Sequence, residues 1–273
     1  MKDDIQQRIK TELDRIIHEF EFATPSGEHF WAPYTANRKF VQDKTVPRGM
    51  GKAYPSEIRR AIAYVCLQNP DISAEELRDA LVEGNLDDPQ MNYRGVDCSG
   101  FVYIVFEKLF DRLYGTAFSD ILALPKADVV NGGMNYEEWR AAHPMTQEEA
   151  DALPEDVQVS WVAKTFNRKP VNLCRVSGIV SNFTSQPVAL DDIRIGDLIH
   201  MTNELEAIPH IAIVYGIYEN KIKIVHSTRK IEDDPGGITF DVLLKIDGKL
   251  DARALVSPIK KPEIFGIRRL RGM

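Results

Sequence analysis

With 273 residues, 44% of them hydrophobic and 27% charged, the chain has the make-up of a folded globular protein and the length to bury a sizeable core. Its formal net charge of −7 argues against a general nucleic-acid binder, whose footprint is basic, and the terminal Arg268-Arg269-Leu270-Arg271 reads as a solvated or salt-bridged end. No run approaches the roughly 18 apolar residues of a spanning helix, so no membrane segment is expected.

Cys66, Cys98 and Cys174 cannot all pair and show no C-x-x-C spacing, which is cysteine usage for a reducing compartment without a zinc site. The start, Met1-Lys2-Asp3-Asp4-Ile5, carries no apolar core of a secretory signal. A cytoplasmic location is expected for the chain as given, with non-Sec export or a trimmed signal left open.

In chain order, Ile5, Ile9, Leu13, Ile16, Ile17 and Phe20 form the stripe of an amphipathic helix over 3–20, with His18 beside it as an exposed residue. Residues 21–54 are rich in Pro and Gly and read as loop with a short strand. A helix resumes at Ser56, carries Cys66 as a structural residue, and breaks at Asn69-Pro70-Asp71. Ser73-Ala74-Glu75-Glu76 has the form of a capping box opening a further helix to Gly84. Residues 1–85 therefore read as a helical N-terminal region without a catalytic cluster.

The informative stretch is Gly95-Val96-Asp97-Cys98-Ser99-Gly100-Phe101-Val102. A polar approach ends in one cysteine, and Phe101, Ile104, Val105, Lys108, Leu109 and Leu113 then recur at helical spacing up to Gly115. Cys98 thus sits at a helix N-terminus, where unpaired N–H groups and the macrodipole favour a thiolate. Gly95 and Gly100 permit close approach of backbone or substrate. Residues 118–187 read as an irregular insertion with short helices near Tyr136–Ala142 and Thr146–Leu153; neither His143 nor Cys174 within it has a partner suggested by spacing.

From Pro187 the pattern turns to strands: Ile195–Met201, His210–Gly216, Ile222–Ser227, Ile238–Leu244 and Phe265–Leu270. A helical front half and an antiparallel back half make an α+β protein. His210 opens one strand and His226 ends its expected hairpin partner, so the two imidazoles can meet across the pair. A thiol nucleophile requires a base and a group that orients the base, and Cys98, His210 and His226 supply those types in a row.

These residues carry a resemblance. Asp97-Cys98-Ser99-Gly100-Phe101 is similar to the nucleophile motif of the NlpC-type cysteine peptidases, papain-like cell-wall endopeptidases. Ile195-Gly196-Asp197-Leu198-Ile199, His210–Gly216, Val225-His226-Ser227 and Gly266-Ile267-Arg268-Arg269 resemble that family's later strands, in its order. The resemblance covers about residues 90–118 and 187–271. It implies a papain-like fold with the nucleophile helix packed on an antiparallel sheet, in a domain spanning 86–273 with an insertion at about 118–187.

It further implies Cys98 as nucleophile, His210 as general base, His226 as orienter, and the Cys98 N–H, joined by the Asp97 or Ser99 side chain, at the oxyanion or substrate. The implied reaction is amide hydrolysis through an acyl-thioester, without cofactor. The implied substrate is a peptide or muropeptide, typically γ-D-glutamyl-diamino acid. The chain departs from the family at Asn92-Tyr93-Arg94-Gly95, a compressed form of a Tyr-x-x-Gly-Gly stretch, in the long insertion, and at His200, where an aromatic or apolar residue is usual. An acyl or peptidyl transferase and a non-catalytic binding domain are the competing expectations.

Overall fold

The computed structural model describes residues 2–35, 51–83, 86–88, 90–130, 145–165, 167–203, 208–228, 236–252, 255 and 262–273. The expected helix at Tyr136–Ala142 and His143 lie outside the described residues.

Helix α1, Lys2–His18, leads into a two-stranded hairpin of β1, Glu21–Ala23, and β2, His29–Trp31. Helix α2, Pro55–Gln68, begins with a proline at its first position, where the missing N–H costs nothing. Helix α3, Ala74–Glu83, opens on the expected capping box: the Glu76 N–H donates to Ser73 Oγ at 3.3 Å, and the Ser73 N–H donates to the Glu76 carboxylate at 3.0 Å.

Helix α4 runs Cys98–Tyr114 and stops at Gly115, whose φ of 64° is the left-handed cap conformation that glycine adopts without a Cβ penalty. The stripe expected of α4 is too narrow. Val102, Tyr103 and Phe106 are buried as well as Phe101, Ile104, Val105 and Leu109, so the helix is covered on nearly every side. The cover is α1 on one flank and the 118–187 segment on another.

The described part of that segment is built of short pieces: α5, Phe118–Ile121; β3, Ala123–Pro125; α6, Lys126–Val130; α7, Gln147–Ala152; β4, Asp156–Gln158; α8, Val159–Thr165; α9, Pro170–Leu173; and α10, Val176–Ile179. Strands β3 and β4 pair antiparallel, and Thr146 and Glu149 form the expected capping box on α7. Phe118 anchors the segment, its ring 5.5, 5.8 and 5.6 Å from those of Tyr103, Phe106 and Phe110.

The back half is one antiparallel sheet. Its strands are β5, Ser185–Val188; β6, Leu198–Asn203; β7, Ile208–Ile217; β8, Lys221–Thr228; β9, Gly237–Ile246; β10, Lys249–Asp251; and β11, Pro262–Leu270. They lie in the order β10-β9-β8-β7-β6-β11-β5. The architecture is therefore α+β, as expected. Alternation splits the sheet's apolar residues between two cores. Leu198, Ile211, Ile213 and Val225 join the helices in one, and Ile199, Met201, Ala212, Val214, Ile224 and Leu243 form the other. The first core runs from Ile9 of α1 through Leu81 of α3 to Leu270, so the described residues of 1–85 share their interior with the rest of the described chain.

Candidate active site

Three polar side chains line up across neighbouring strands. Ile224 of β8 pairs with Asp241 and His226 with Thr239, so His226 and Asp241 are diagonal neighbours on one face, and His210 of β7 joins them past the last β7–β8 pair, Ile213 with Val225. His210 Nε2 lies 2.7 Å from His226 Nδ1, and His226 Nε2 lies 3.0 Å from Asp241 Oδ2. His226 and Asp241 are almost fully buried, at 0% and 1% exposure.

The bonding order assigns the protons. A carboxylate only accepts, so His226 Nε2 carries hydrogen and, in a neutral ring, its Nδ1 accepts. His210 Nε2 then donates to that Nδ1, leaving His210 Nδ1 as a lone pair. Burial, with the neighbouring His226 adding to it, holds His210 well below the usual histidine value, while the Asp241 charge opposes them. At neutral pH His210 is a neutral base.

By alternation, this face of the sheet is the one turned away from α4. β7 and β8 are paired from Ile213 and Val225 onward, and the segments holding His210 and His226 lie past that point. Ser227 Oγ donates to the Val96 carbonyl at 2.7 Å, tying the approach to α4 to the parted strand. The backbone of Ile211, the residue after His210, acts on the Cys98 thiol and opposes its rise.

Cys98 is 9% exposed. The helix start alone favours a thiolate, but burial comes first here, and the Asp97 carboxylate adds to it, pushing the thiol up to about 12. The Lys52 charge and the backbone of Ile211 and Ser99 oppose that rise without overcoming it. Against the expectation of a resting thiolate, burial and the Asp97 carboxylate leave Cys98 as a neutral thiol.

Asp97 is the N-cap of α4, and its Oδ1 accepts from the Gly100 N–H at 2.6 Å and from Ser99 Oγ at 3.0 Å. Lys52 Nζ donates to the same Oδ1 at 2.8 Å and to Ser99 Oγ at 2.5 Å. The expected oxyanion or substrate role of these two side chains meets a physical obstacle. The carboxylate has no proton to offer, and the Ser99 proton is directed to Asp97.

Gly95 and Gly100 do admit backbone. A Cβ on Gly100 would stand 2.2 Å from the Gly51 carbonyl, and one on Gly95 would stand 2.4 Å from the Pro33 carbonyl. The Asp97 N–H donates to that same Gly51 carbonyl at 2.8 Å, which fixes the 51–52 segment against the nucleophile turn.

The other singled-out residues take different places. Cys174 is a fully buried thiol that donates to the Ser99 carbonyl at 3.4 Å, beneath the first turn of α4. Cys66 is half-buried on α2. His200 stands opposite Ile211 on β6 with its ring 5.1 Å from that of Phe265, apart from the His210–His226 pair. His18 Nδ1–H donates to the Asp14 carbonyl at 2.7 Å and the ring lies against Trp31, outside the site. Tyr93 occupies a turn with φ of 57°.

Two site residues escape a reading of the sequence. Asp241 had one local signal, a carboxylate in the middle of the apolar strand Gly237-Ile238-Thr239-Phe240-Asp241-Val242-Leu243. Lys52, in a Gly-rich loop far from Cys98 in sequence, had none. Among the described residues no group of three or more His, Cys, Asp and Glu is arranged to hold a metal ion, and no helix is long and apolar enough to cross a membrane. No protein-family model and no curated protein matches the chain.

Proposed function

We propose that this protein is a cysteine hydrolase of amide bonds, with Cys98 as nucleophile, His210 as general base and then acid, and His226 and Asp241 as the groups that orient and polarise the base. The observation that carries the reading is the His210–His226–Asp241 row, whose bonding order leaves His210 Nδ1 able to accept a proton, on the strand whose next residue, Ile211, acts on the Cys98 thiol.

In the first half-reaction the Cys98 proton passes to His210 as the sulfur attacks the carbonyl carbon, so no free thiolate has to accumulate. The imidazolium then gives that proton to the departing amine. Water attacks the resulting acyl-thioester with His210 again as base, releasing the acid and restoring the thiol. The N–H of Cys98, in the first turn of α4, has no partner inside the helix and is the proposed donor to the developing oxyanion.

For the substrate we propose a peptide of the peptidoglycan stem type, on the likeness of the Asp97–Phe101 stretch and the strand motifs to NlpC-type peptidases. The same likeness leads us to propose a papain-like core. The test is mass spectrometry of products from a panel of stem peptides containing γ-D-glutamyl-diamino acid and ordinary α-amide bonds. Two fragments that together gain one water are expected, lost in Cys98→Ala and His210→Ala. Undiminished turnover in either variant would sink the mechanism, and amine adducts in place of acids would make the enzyme a transferase.

A further inference from the structure

Lys52 comes from the loop ahead of α2, bridges to Val96 in strand fashion and is 3% exposed. Its ammonium bonds to the side chains of both residues that flank Cys98, Asp97 and Ser99. A buried ammonium is stable only with an opposite charge and acceptors around it, and here the acceptors are the ones that shape the nucleophile turn. Gly51 beside it is locked to the Asp97 N–H, and Gly100 leaves room for that backbone. The cation is therefore held in place from both sides.

The groups acting on the sulfur come from four directions. Asp97 lies on its own turn, Lys52 on the loop, the neutral Cys174 thiol on the segment after α9, and the backbone of Ile211 on β7, with His210 next along that strand. Deprotonating Cys98 places a second negative charge next to the Asp97 carboxylate, in a region with little water to spread it. The cation that meets this charge is Lys52.

We propose that Lys52 is a positioning residue for Cys98: it locks the first turn of α4 through Asp97 and Ser99, and its buried charge offsets the negative charge that develops on the sulfur. This rests on the reading of Cys98 as nucleophile and adds to it a residue from the region that showed no catalytic cluster.

The test is the rate of Cys98 alkylation by iodoacetamide from neutral to alkaline pH, resolved by peptide mass spectrometry with Cys66 as the internal reference. Lys52→Met removes the cation and should slow Cys98 by about tenfold, the factor that one unit of thiol pKa produces. Asp97→Asn removes the anion, keeps an acceptor for the Gly100 N–H, and should speed Cys98. A purely structural role would loosen the turn in both variants and move both rates the same way, which overturns the proposal. Should Lys52→Met fail to give a cooperative thermal transition, Asp97→Asn decides alone: a faster rate supports the charge role, and an unchanged or slower one overturns it. Because the readout needs no substrate, it separates the two ideas. The same assay on His210→Ala tests the hydrolase reading, which falls if the Cys98 rate is unchanged, whereas same-direction rates in the Lys52 and Asp97 variants with a changed His210→Ala rate sink the role of Lys52 only.

Discussion

His210 and His226 share a 2.7 Å hydrogen bond although neither is the other's partner in the β7–β8 register, which ends at Ile213 and Val225. A diagonal pair on one face is within reach of two imidazoles, and the bond uses Nε2 of one ring and Nδ1 of the other. Asp241 repeats the same diagonal step one strand further on, at 3.0 Å. The row thus has a direction, from carboxylate to base, and the direction can be reversed by one atom.

Asp241→Asn is that atom. An amide that donates to His226 Nε2 forces the proton onto Nδ1 and turns the next bond around, putting hydrogen on the His210 nitrogen that has to accept. We expect kcat to fall by about 100-fold or more, in the range that general-base catalysis contributes, with little change in thermal midpoint. Nitrogen NMR of the imidazoles should show the exchanged tautomers. Wild-type turnover in this variant would mean that His210 is not oriented through the row.

The pH dependence follows from the same groups. His210 has to be neutral to act, and burial holds it well below its ordinary value of 6.5, so kcat/KM should stay flat through neutrality and fall only on the acid side of 6.5. Cys98, pushed up to about 12, should add no rise near the ordinary thiol value. The stability effect has the same sign: the unfolded chain takes up a proton on this histidine below 6.5 while the folded chain does not. Stability is full above 6.5 and is lost as pH falls toward the folded value, by about 1.4 kcal/mol per pH unit across that window. A His210→Gln variant, compared with wild type by thermal unfolding, should lose that component. Parallel pH curves for the two proteins would contradict it.

Much of this arrangement is legible in the sequence. Apolar spacing and Gly115 bounded α4, the Ser73–Glu76 and Thr146–Glu149 pairs marked helix starts, and alternation located β6 to β9 and β11, because each is a short-range signal. The pairing of His210 with His226 was legible for the same reason, since a hairpin joins them. What stayed hidden depends on distance along the chain. Lys52 meets Asp97 across 45 residues, and Asp241 joins the row through a strand connection whose register no local pattern sets. The charge state of Cys98 was hidden too, because a helix start is visible in sequence while the depth of its burial is not.

The 118–187 segment gives a prediction of another kind. Its fit as an irregular insertion would suggest a dispensable loop, yet Phe118 is fully buried against three aromatic rings of α4. Phe118→Ala should cost about 3–5 kcal/mol, as other large-to-small aromatic changes in cores do. Urea unfolding would measure it, and a loss below about 1 kcal/mol would show that the segment is not part of the core.

Gly100→Ala sets two effects of opposite sign against each other. Alanine is the better helix former by about 1 kcal/mol, so at an open position in the first turn of α4 the change would stabilise. At this position the new Cβ would lie 2.2 Å from the Gly51 carbonyl, 2.8 Å from Lys52 Cδ and 3.2 Å from Asp97 Oδ1. The lysine stem can bend, but the carbonyl is held by the Asp97 N–H at 2.8 Å and cannot yield without opening the cap. Overpacking of this kind costs about 1–3 kcal/mol and should outweigh the helix preference. The variant should therefore unfold at lower urea, and its Cys98 alkylation rate should change as Lys52 is displaced from Asp97 and Ser99. A stabilised Gly100→Ala with an unaltered Cys98 rate would show that the 51–52 segment does not press on the nucleophile turn. The link between the N-terminal region and the site would then fall with it.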